Sequence, residues 1–401
     1  MVTNAVRRAP FRFGLQGLAV ALVVLALAAC QQTTSTTTRP STGTSATAPT
    51  PAPSAAPRKV GLLVPLTGRI AAVGTDLARA TEMAVLERGG DGLTLVVRDT
   101  ASSPEGAVLA ARELIEVERV DIILGPLVGS HAERVAALAR ARNTPVLSFS
   151  SQADIAGGGL FVLGYRPGEQ VERVVAFAAG RGFAQIAGLA PDNAYGRQAI
   201  ASLRAAVAAA PGGELVGTAF YGNDAIDAGS KIQELRGSTD GLPPFDALLV
   251  ADGGNRLRQV SQLLPRFEVD PVDVRMLGTM LWQDDRSVLE EPALRGGWYA
   301  GVADAALRDF QSRFRRAFGR EPHPLAVLGY DGLLIAADGA REPMRAVARM
   351  TEPGGYQGEA GIIRLLPSGV AQHGLAIMEL TAGGPVVIEP APLRFEDLGA
   401  S

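Results

Sequence analysis

VGLLVPLTG, residues 60–68, is an apolar run of the β type that ends at a proline and a glycine. A helical window follows from about Thr75 to Arg88, and the next run, Leu93 to Arg98, again reads as a strand. The first run shows almost no polar alternation, which is typical of strands covered by helices on both faces. This strand–turn–helix–strand unit predicts an α/β fold with a parallel sheet.

The same alternation continues along most of the chain. Further strands are predicted at 121–124, 145–149, 185–189, 214–221, 245–250, 274–278 and 297–301, and helices at 104–118, 130–142, 169–180, 195–210, 225–235 and 255–264. The rhythm pauses near Pro167 and then restarts. Two α/β blocks in tandem predict two lobes, each a parallel sheet flanked by helices, with a ligand cleft beyond the carboxyl ends of the strands.

The two ends of the chain differ from this pattern. An uncharged apolar run at 13–29 follows three arginines and is typical of a secretory signal. Residues 31–57 consist almost wholly of Thr, Ser, Pro and Ala, with Arg39 as the single charge, which predicts a disordered tether. Near the other end, 361–366 and 374–381 alternate between glycines and predict a small antiparallel β-hairpin appendage.

The length of 401 residues exceeds what one core of ordinary size accommodates. The expected divisions are a signal segment at 1–30, a tether at 31–57, a first lobe at 58–166 plus about 302–340, a second lobe at 167–301 plus about 341–390, and a tail at 391–401.

The composition argues against several function classes. The net charge of −3 and the lack of a basic patch argue against nucleic-acid binding. His131, His323 and His373 do not have metal-ligand spacings, and the folded part has no cysteine nucleophile, Gly-x-Ser-x-Gly elbow or phosphate-binding loop with lysine. We therefore expect a protein that is not an enzyme and holds no metal or cofactor.

Hydroxyl groups follow two predicted strands of the first block. Ser130 comes at the start of a helix, where a hydroxyl and free backbone N–H groups form an anion site or simply an N-cap. Ser148, Ser150 and Ser151 come at and after a strand end. These three serines are candidates either for ligand binding or for satisfying the backbone of a turn.

The second block offers two further candidates. Tyr195 begins a helix, where its ring could close over a ligand or pack at the lobe interface. Asp252 follows the strand FDALLV and is the best acceptor for an ammonium group, although an Asp before two glycines also suits a turn. Trp282 and Trp298 could line the cleft or a partner surface, but core packing is the more common use of tryptophan in a chain with so few aromatic residues.

The signal segment ends in Leu27-Ala28-Ala29-Cys30, which resembles the bacterial lipobox. The resemblance implies lipidation of Cys30, the only cysteine, which has no partner for an intramolecular disulfide. Gln31, in place of the Asp found in many inner-membrane lipoproteins, favours the outer membrane. We expect a lipid-anchored envelope protein with its folded part in the periplasm.

The folded part resembles the type I periplasmic binding proteins, a family that includes branched-chain amino acid receptors. The matching segments, in order, are VGLLVPLTG with Gly74, Leu124-Gly125-Pro126 to Ser130, PVLSFSS at 145–151, APDNAYG at 190–196, and Gly329-Tyr330-Asp331. The resemblance implies a small amino-acid-like ligand, with Ser130 at the carboxylate-binding position, and an ABC permease as partner.

A narrower resemblance covers the second half. Segments at 264–265, 277–282, 294–299, 324–330, 358–365 and 373–379 are similar to lipoprotein activators of penicillin-binding proteins. This resemblance implies a regulator of a peptidoglycan synthase, with a penicillin-binding protein as partner. The tether stands where those activators carry a helical-repeat domain. The two predicted functions are therefore a synthase activator and, as the alternative, a receptor for an amino acid importer.

Overall fold

The computed structural model describes residues 58–90, 92–222, 225–237, 241–283 and 286–396. Cys30 and the tether at 31–57 lie outside these residues, so their predicted roles stay predictions. Within the described part, no helix is both long and apolar enough to cross a membrane.

The first lobe is built on a five-stranded parallel sheet with strand order β2-β1-β3-β4-β5. Its strands are β1 Arg58–Val64, β2 Leu93–Asp99, β3 Ile122–Leu124, β4 Val146–Ser148 and β5 Leu160–Val162. The helices between them are α1 Ala71–Arg88, α2 Pro104–Arg112, which continues as a π-helical segment over Glu113–Glu118, and α3 Gly129–Arg140. Leu62 and Leu63 on β1 point into different core clusters, so both faces of the sheet are covered.

The second lobe repeats this arrangement in a seven-stranded sheet of order β15-β14-β10-β9-β8-β6-β7. Its parallel strands are β6 Gln185–Pro191, β7 Glu214–Tyr221, β8 Ala247–Val250, β9 Arg275–Gly278 and β10 Trp298–Gly301. Its helices are α4 Pro167–Gly180, α5 Ala194–Ala209, α6 Ala225–Arg236 and α7 Gly254–Leu263. The two-lobed α/β fold with parallel sheets is thus confirmed.

The remaining elements are shared between the lobes. They are α8 Asp304–Phe318, α9 Ala326–Gly339, α10 Ala346–Met350, β11 Tyr356–Gly358, β12 Gly361–Leu365, β13 Ala371–His373, β14 Ala376–Thr381 and β15 Gly384–Glu389. Strands β11, β12 and β13 form a small antiparallel sheet, which agrees with the predicted antiparallel appendage. The predicted pairing of its strands is wrong, because β14 leaves β12 and pairs with β10 and β15.

The lobe boundary near the C-terminus also differs from the predicted one. Met350, Ile363 and Ala371 are buried in the same core cluster as Val60 of the first lobe, whereas the sequence predicts 341–373 in the second lobe. Only from β14 onward does the chain join the second sheet. The expected tail is also partly packed, because Phe395 is buried under the guanidinium of Arg364, 4.3 Å from its ring centroid.

Candidate functional site

The strand order locates the candidate site. In the first lobe β2 lies on one side of β1 and β3 on the other, and in the second lobe β7 and β8 flank β6 in the same way. The order reverses between β1 and β3 and between β6 and β8, so the loops that follow these adjacent strands diverge and leave a crevice at the carboxyl edge. The candidate site therefore comprises the loops after β1 and β3 in one lobe and after β6 and β8 in the other.

The loop after β1 is fixed by an acid that the sequence interpretation had missed. Asp99, at the end of β2, accepts hydrogen bonds from the N–H groups of Leu66 at 2.8 Å and Ala101 at 2.7 Å and from the hydroxyl of Thr67 at 2.6 Å. Burial alone would raise the pKa of Asp99, but these hydrogen bonds lower it overall. This carboxylate is therefore fully occupied in shaping the loop.

Ser130 is not the N-cap of α3. The helix begins at Gly129, its N-cap is Val128, and no side chain caps it. Ser130 is the second residue of the helix and is exposed. The amides of Gly129 and Ser130 belong to the first helical turn, where N–H groups have no intrahelical acceptor. The hydroxyl and these amides form one patch of donors at the positive end of a helix.

Two of the three following serines serve the loop itself. Ser148 is completely buried and donates to the carbonyl of Pro126 at 2.7 Å, while accepting from the N–H of Ser150 at 3.1 Å. The Ser150 hydroxyl accepts from the N–H of Gln152 at 3.1 Å. Ser148 and Ser150 therefore satisfy backbone groups of the turn, which is the second of the two roles predicted for them. Ser151 is exposed at the same edge, so ligand binding stays a prediction for its hydroxyl.

Tyr195 is tied to its own lobe. Its hydroxyl donates to Oγ1 of Thr279, in the loop after β9, at 2.8 Å, and burial raises the pKa of this phenol. The neighbouring amide of Met280 donates to the buried Oε1 of Gln170 at 2.8 Å. Neither Thr279 nor Gln170 was singled out from the sequence, because their partners lie 84 and 110 residues away.

Asp252 lies among donors rather than in an open turn. Its Oδ2 accepts from the hydroxyl of Tyr221 at 2.6 Å and lies 3.0 Å from Nε of Arg256. Its Oδ1 accepts from the N–H of Gly253 at 2.8 Å and from Nη2 of Arg256 at 3.1 Å. Protein donors already occupy both oxygens, which counts against the predicted role as an ammonium acceptor.

The two tryptophans are core residues, as the more common use predicts. Trp282 has no exposed surface and packs its indole against the Cα of Gly278, where an added Cβ would lie 2.2 Å from Cε2. Trp298 is held by edge-on contacts with Phe177 and Phe183, and the guanidinium of Arg275 lies 4.5 Å from its ring centroid.

A buried polar cluster lies where the chain crosses between the lobes. His373, just before the crossover to β14, has its Nδ1 3.0 Å from Oε1 of Glu169 on α4, and its ring lies 4.5 Å from that of Tyr165. Burial alone would raise the pKa of Glu169, but His373 and then Arg166 lower it. In the described part, Nε2 of His373 and the Tyr165 hydroxyl have no hydrogen-bond partner.

Comparison with known proteins agrees with this architecture. A family model described as periplasmic binding protein matches residues 57–385. A search of curated proteins finds no match. A putative branched-chain amino acid ABC transporter protein from Rhodospirillum rubrum superposes with a TM-score of 0.69 at 20% identity, covering 82% of this chain and 99% of that one.

Two further structures show the same likeness. A leucine binding protein from Thermotoga maritima has a TM-score of 0.60 at 18% identity and covers 85% of this chain and 99% of its own. An ABC transporter solute binding protein from Rhodopseudomonas palustris, in complex with dihydroxybenzoic acid, has a TM-score of 0.61 at 22% identity, with 86% and 99% covered. The chain belongs to the periplasmic binding protein family, with the type I, leucine-binding-like fold.

Proposed function

We propose that this protein is the substrate-binding receptor of an ABC transporter and that it binds a small carboxylate-bearing solute between its lobes. The observation that carries the proposal is the donor patch of the buried Gly129 and the exposed Ser130, at a helix N-terminus beside the topological switch point of the first lobe. A carboxylate there would accept from the amides and the hydroxyl and be stabilised by the helix dipole. The family places this activity in the periplasm or cell envelope.

The structural neighbours favour the receptor over the synthase activator that the narrower resemblance predicts. They are transporter binding proteins, and they match over nearly their whole length. The activator-like segments also contain Leu277, Trp282, Leu294 and Tyr299, which are all fully buried. At these four positions the resemblance therefore reflects core packing. Lipidation of Cys30 and residence in the outer membrane stay predictions from the sequence.

The proposal is tested by ligand-induced thermal stabilisation of the full chain in detergent. Intrinsic fluorescence is suitable because both tryptophans are buried. A panel of amino acids and aromatic or aliphatic acids is screened, and a ligand at about 100 times its Kd adds about 2.7 kcal/mol to the free energy of unfolding. We expect a rise in Tm with at least one carboxylate and none with its amide.

A matched pair of variants tests the position of the carboxylate. Ser130→Glu places a negative charge at the helix N-terminus, which favours the helix but competes with a bound carboxylate. Ala137→Glu adds the same charge at an exposed position of α3, away from the N-terminus. We expect Ser130→Glu to abolish the ligand-induced shift without lowering the Tm of the free protein, and Ala137→Glu to retain the shift. Normal binding by Ser130→Glu would contradict the proposed site.

A further inference from the structure

The acid at the switch point of the second lobe has no acceptor left for a ligand. A carboxylate offers about four lone-pair sites. Asp252 receives four donors, namely the Tyr221 hydroxyl, the Gly253 amide and two nitrogens of Arg256, at 2.6 to 3.1 Å. Its side chain is 4% exposed. Tyr221 stays a donor, because burial and the Asp252 charge raise the pKa of its hydroxyl.

Arg256 also cancels the charge that an ammonium group would need. Its Nε and Nη2 hold both oxygens of Asp252 in a fork, the geometry in which an arginine–carboxylate pair is strongest. The guanidinium side chain is 38% exposed, at the first turn of α7 where the crevice of the second lobe opens. The Asp252–Arg256 pair has no net charge to attract an ammonium group. An ammonium group placed there would also lie next to the exposed, positively charged guanidinium of Arg256 and be repelled by it.

The other acids of the two switch points are occupied as well. Asp192, in the loop after β6, forms an ion pair with Nη1 of Arg197 at 2.6 Å, although both side chains are more than half exposed. Asp99, at the first-lobe switch point, is saturated by the loop after β1. In the described residues of the switch-point loops, the carboxylates of Asp99, Asp192 and Asp252 are thus all paired with protein donors. The amides of Gly129 and Ser130 remain as donors for a ligand.

We propose that the cleft selects a carboxylate that carries no ammonium group, with Arg256 as the specificity-determining residue. The inference rests on the proposed receptor function and names its substrate class. A guanidinium has five N–H donors, of which Asp252 takes two. The remaining donors suit an acceptor on the far end of the ligand, such as a hydroxyl, a phenol oxygen or a second carboxylate.

The test compares ligands that differ only in the amino group. Isothermal calorimetry on the full chain in detergent measures isocaproate against leucine, hydrocinnamate against phenylalanine, and phenylacetate against phenylglycine. We expect the amine-free member of at least one pair to bind about tenfold tighter or more, and no amino acid to bind better than its partner. An amino acid that binds as well as or better than its amine-free partner overturns this inference and leaves the receptor function intact.

A variant assigns the preference to Arg256. Arg256→Met keeps the apolar stem of the side chain but releases Asp252, so the preference should move by about tenfold or more toward the amino acid of the pair. Gln259→Ala, at an exposed position of the same helix, should keep the wild-type preference. An unchanged preference in a folded Arg256→Met protein overturns the role of Arg256. If Arg256→Met does not fold, the wild-type comparison still decides the ligand class.

The proposed function fails in a different way. If no member of any pair binds either the wild-type chain or Arg256→Met, the protein is not a receptor for small carboxylates, and both proposals fall together. Binding confined to the amino acids leaves only the first proposal standing.

Discussion

Asp331 is a carboxyl group held away from water at the place where the lobes meet. It lies on α9, is 3% exposed, and accepts from the amides of Glu359 at 2.7 Å and Ala360 at 3.3 Å. Burial raises its pKa to about 7, although the two amides act against this. The burial of this acid could not be predicted from the sequence, since it depends on Glu359 and Ala360, 28 and 29 residues along the chain.

This pKa predicts a pH dependence of stability with a definite sign. A raised pKa means that the stabilisation is fully present below the unfolded value of about 4 and is lost as the pH rises toward 7. Asp331→Asn removes this titration. From about pH 5 to pH 8 we expect the wild type to lose stability relative to the variant. The free energy of unfolding of the variant minus that of the wild type should increase by a few kcal/mol over this range.

Urea denaturation of both proteins across this pH range measures the difference. Asp309→Asn is the matched control, because it makes the same Asp-to-Asn change at an exposed acid on a neighbouring helix. A constant difference between Asp331→Asn and wild type at all pH values would show that Asp331 is ionised throughout.

Each lobe opens with the same strand–helix contact. Pro65 follows β1 and Gly74 lies on α1, while Pro191 ends β6 and Gly196 lies on α5. A Cβ on Gly74 would lie 1.9 Å from the carbonyl oxygen of Pro65, and one on Gly196 would lie 2.0 Å from that of Pro191. Each helix therefore packs its backbone directly on the loop that borders the candidate site.

Alanine at either glycine should separate the helix from its strand. We expect Gly74→Ala and Gly196→Ala each to lower the free energy of unfolding by about 3 kcal/mol or more, since the clash is with backbone that cannot rotate away. Gly180→Ala is the control, because nothing lies within 4 Å of its added Cβ at the end of α4. It should be neutral or slightly stabilising. Chemical denaturation checks all three, and equal effects would contradict the packing argument.

At this scale the sequence was most informative. The strands and helices of both blocks are periodic and local, so their existence and order could be predicted from apolar runs and helical windows. The partner of a strand is not local information. Gly374 and Leu375 carry the chain from β13 to β14, and no property of these two residues shows that the next strand joins the other sheet. The hydrogen bond from Tyr221 to Asp252 was missed for the same reason, because Tyr221 lies 31 residues away. The pairing of Asp252 with Arg256, four residues on, is local information.

The two lobes share packing as well as chain connections. The chain passes between them before α4, after β10 and before β14. Tyr165, Leu307 and Ala360 pack both against the main core of the first lobe and against a core of the second. Glu169 of the second lobe also holds His373 of the first at the crossover. Loss of one core therefore removes support from the other.

This coupling predicts that the molecule unfolds in one transition. Both tryptophans belong to the second lobe, so their fluorescence reports on that lobe, whereas far-UV circular dichroism reports on both. We expect the two signals to give coincident curves, and coincidence of different probes is the test of two-state behaviour.

The sharper test uses Gly74→Ala, whose defect is confined to the first lobe. Its tryptophan transition should move together with the circular dichroism transition, and a tryptophan curve that stays at the wild-type midpoint would show that the second lobe folds independently.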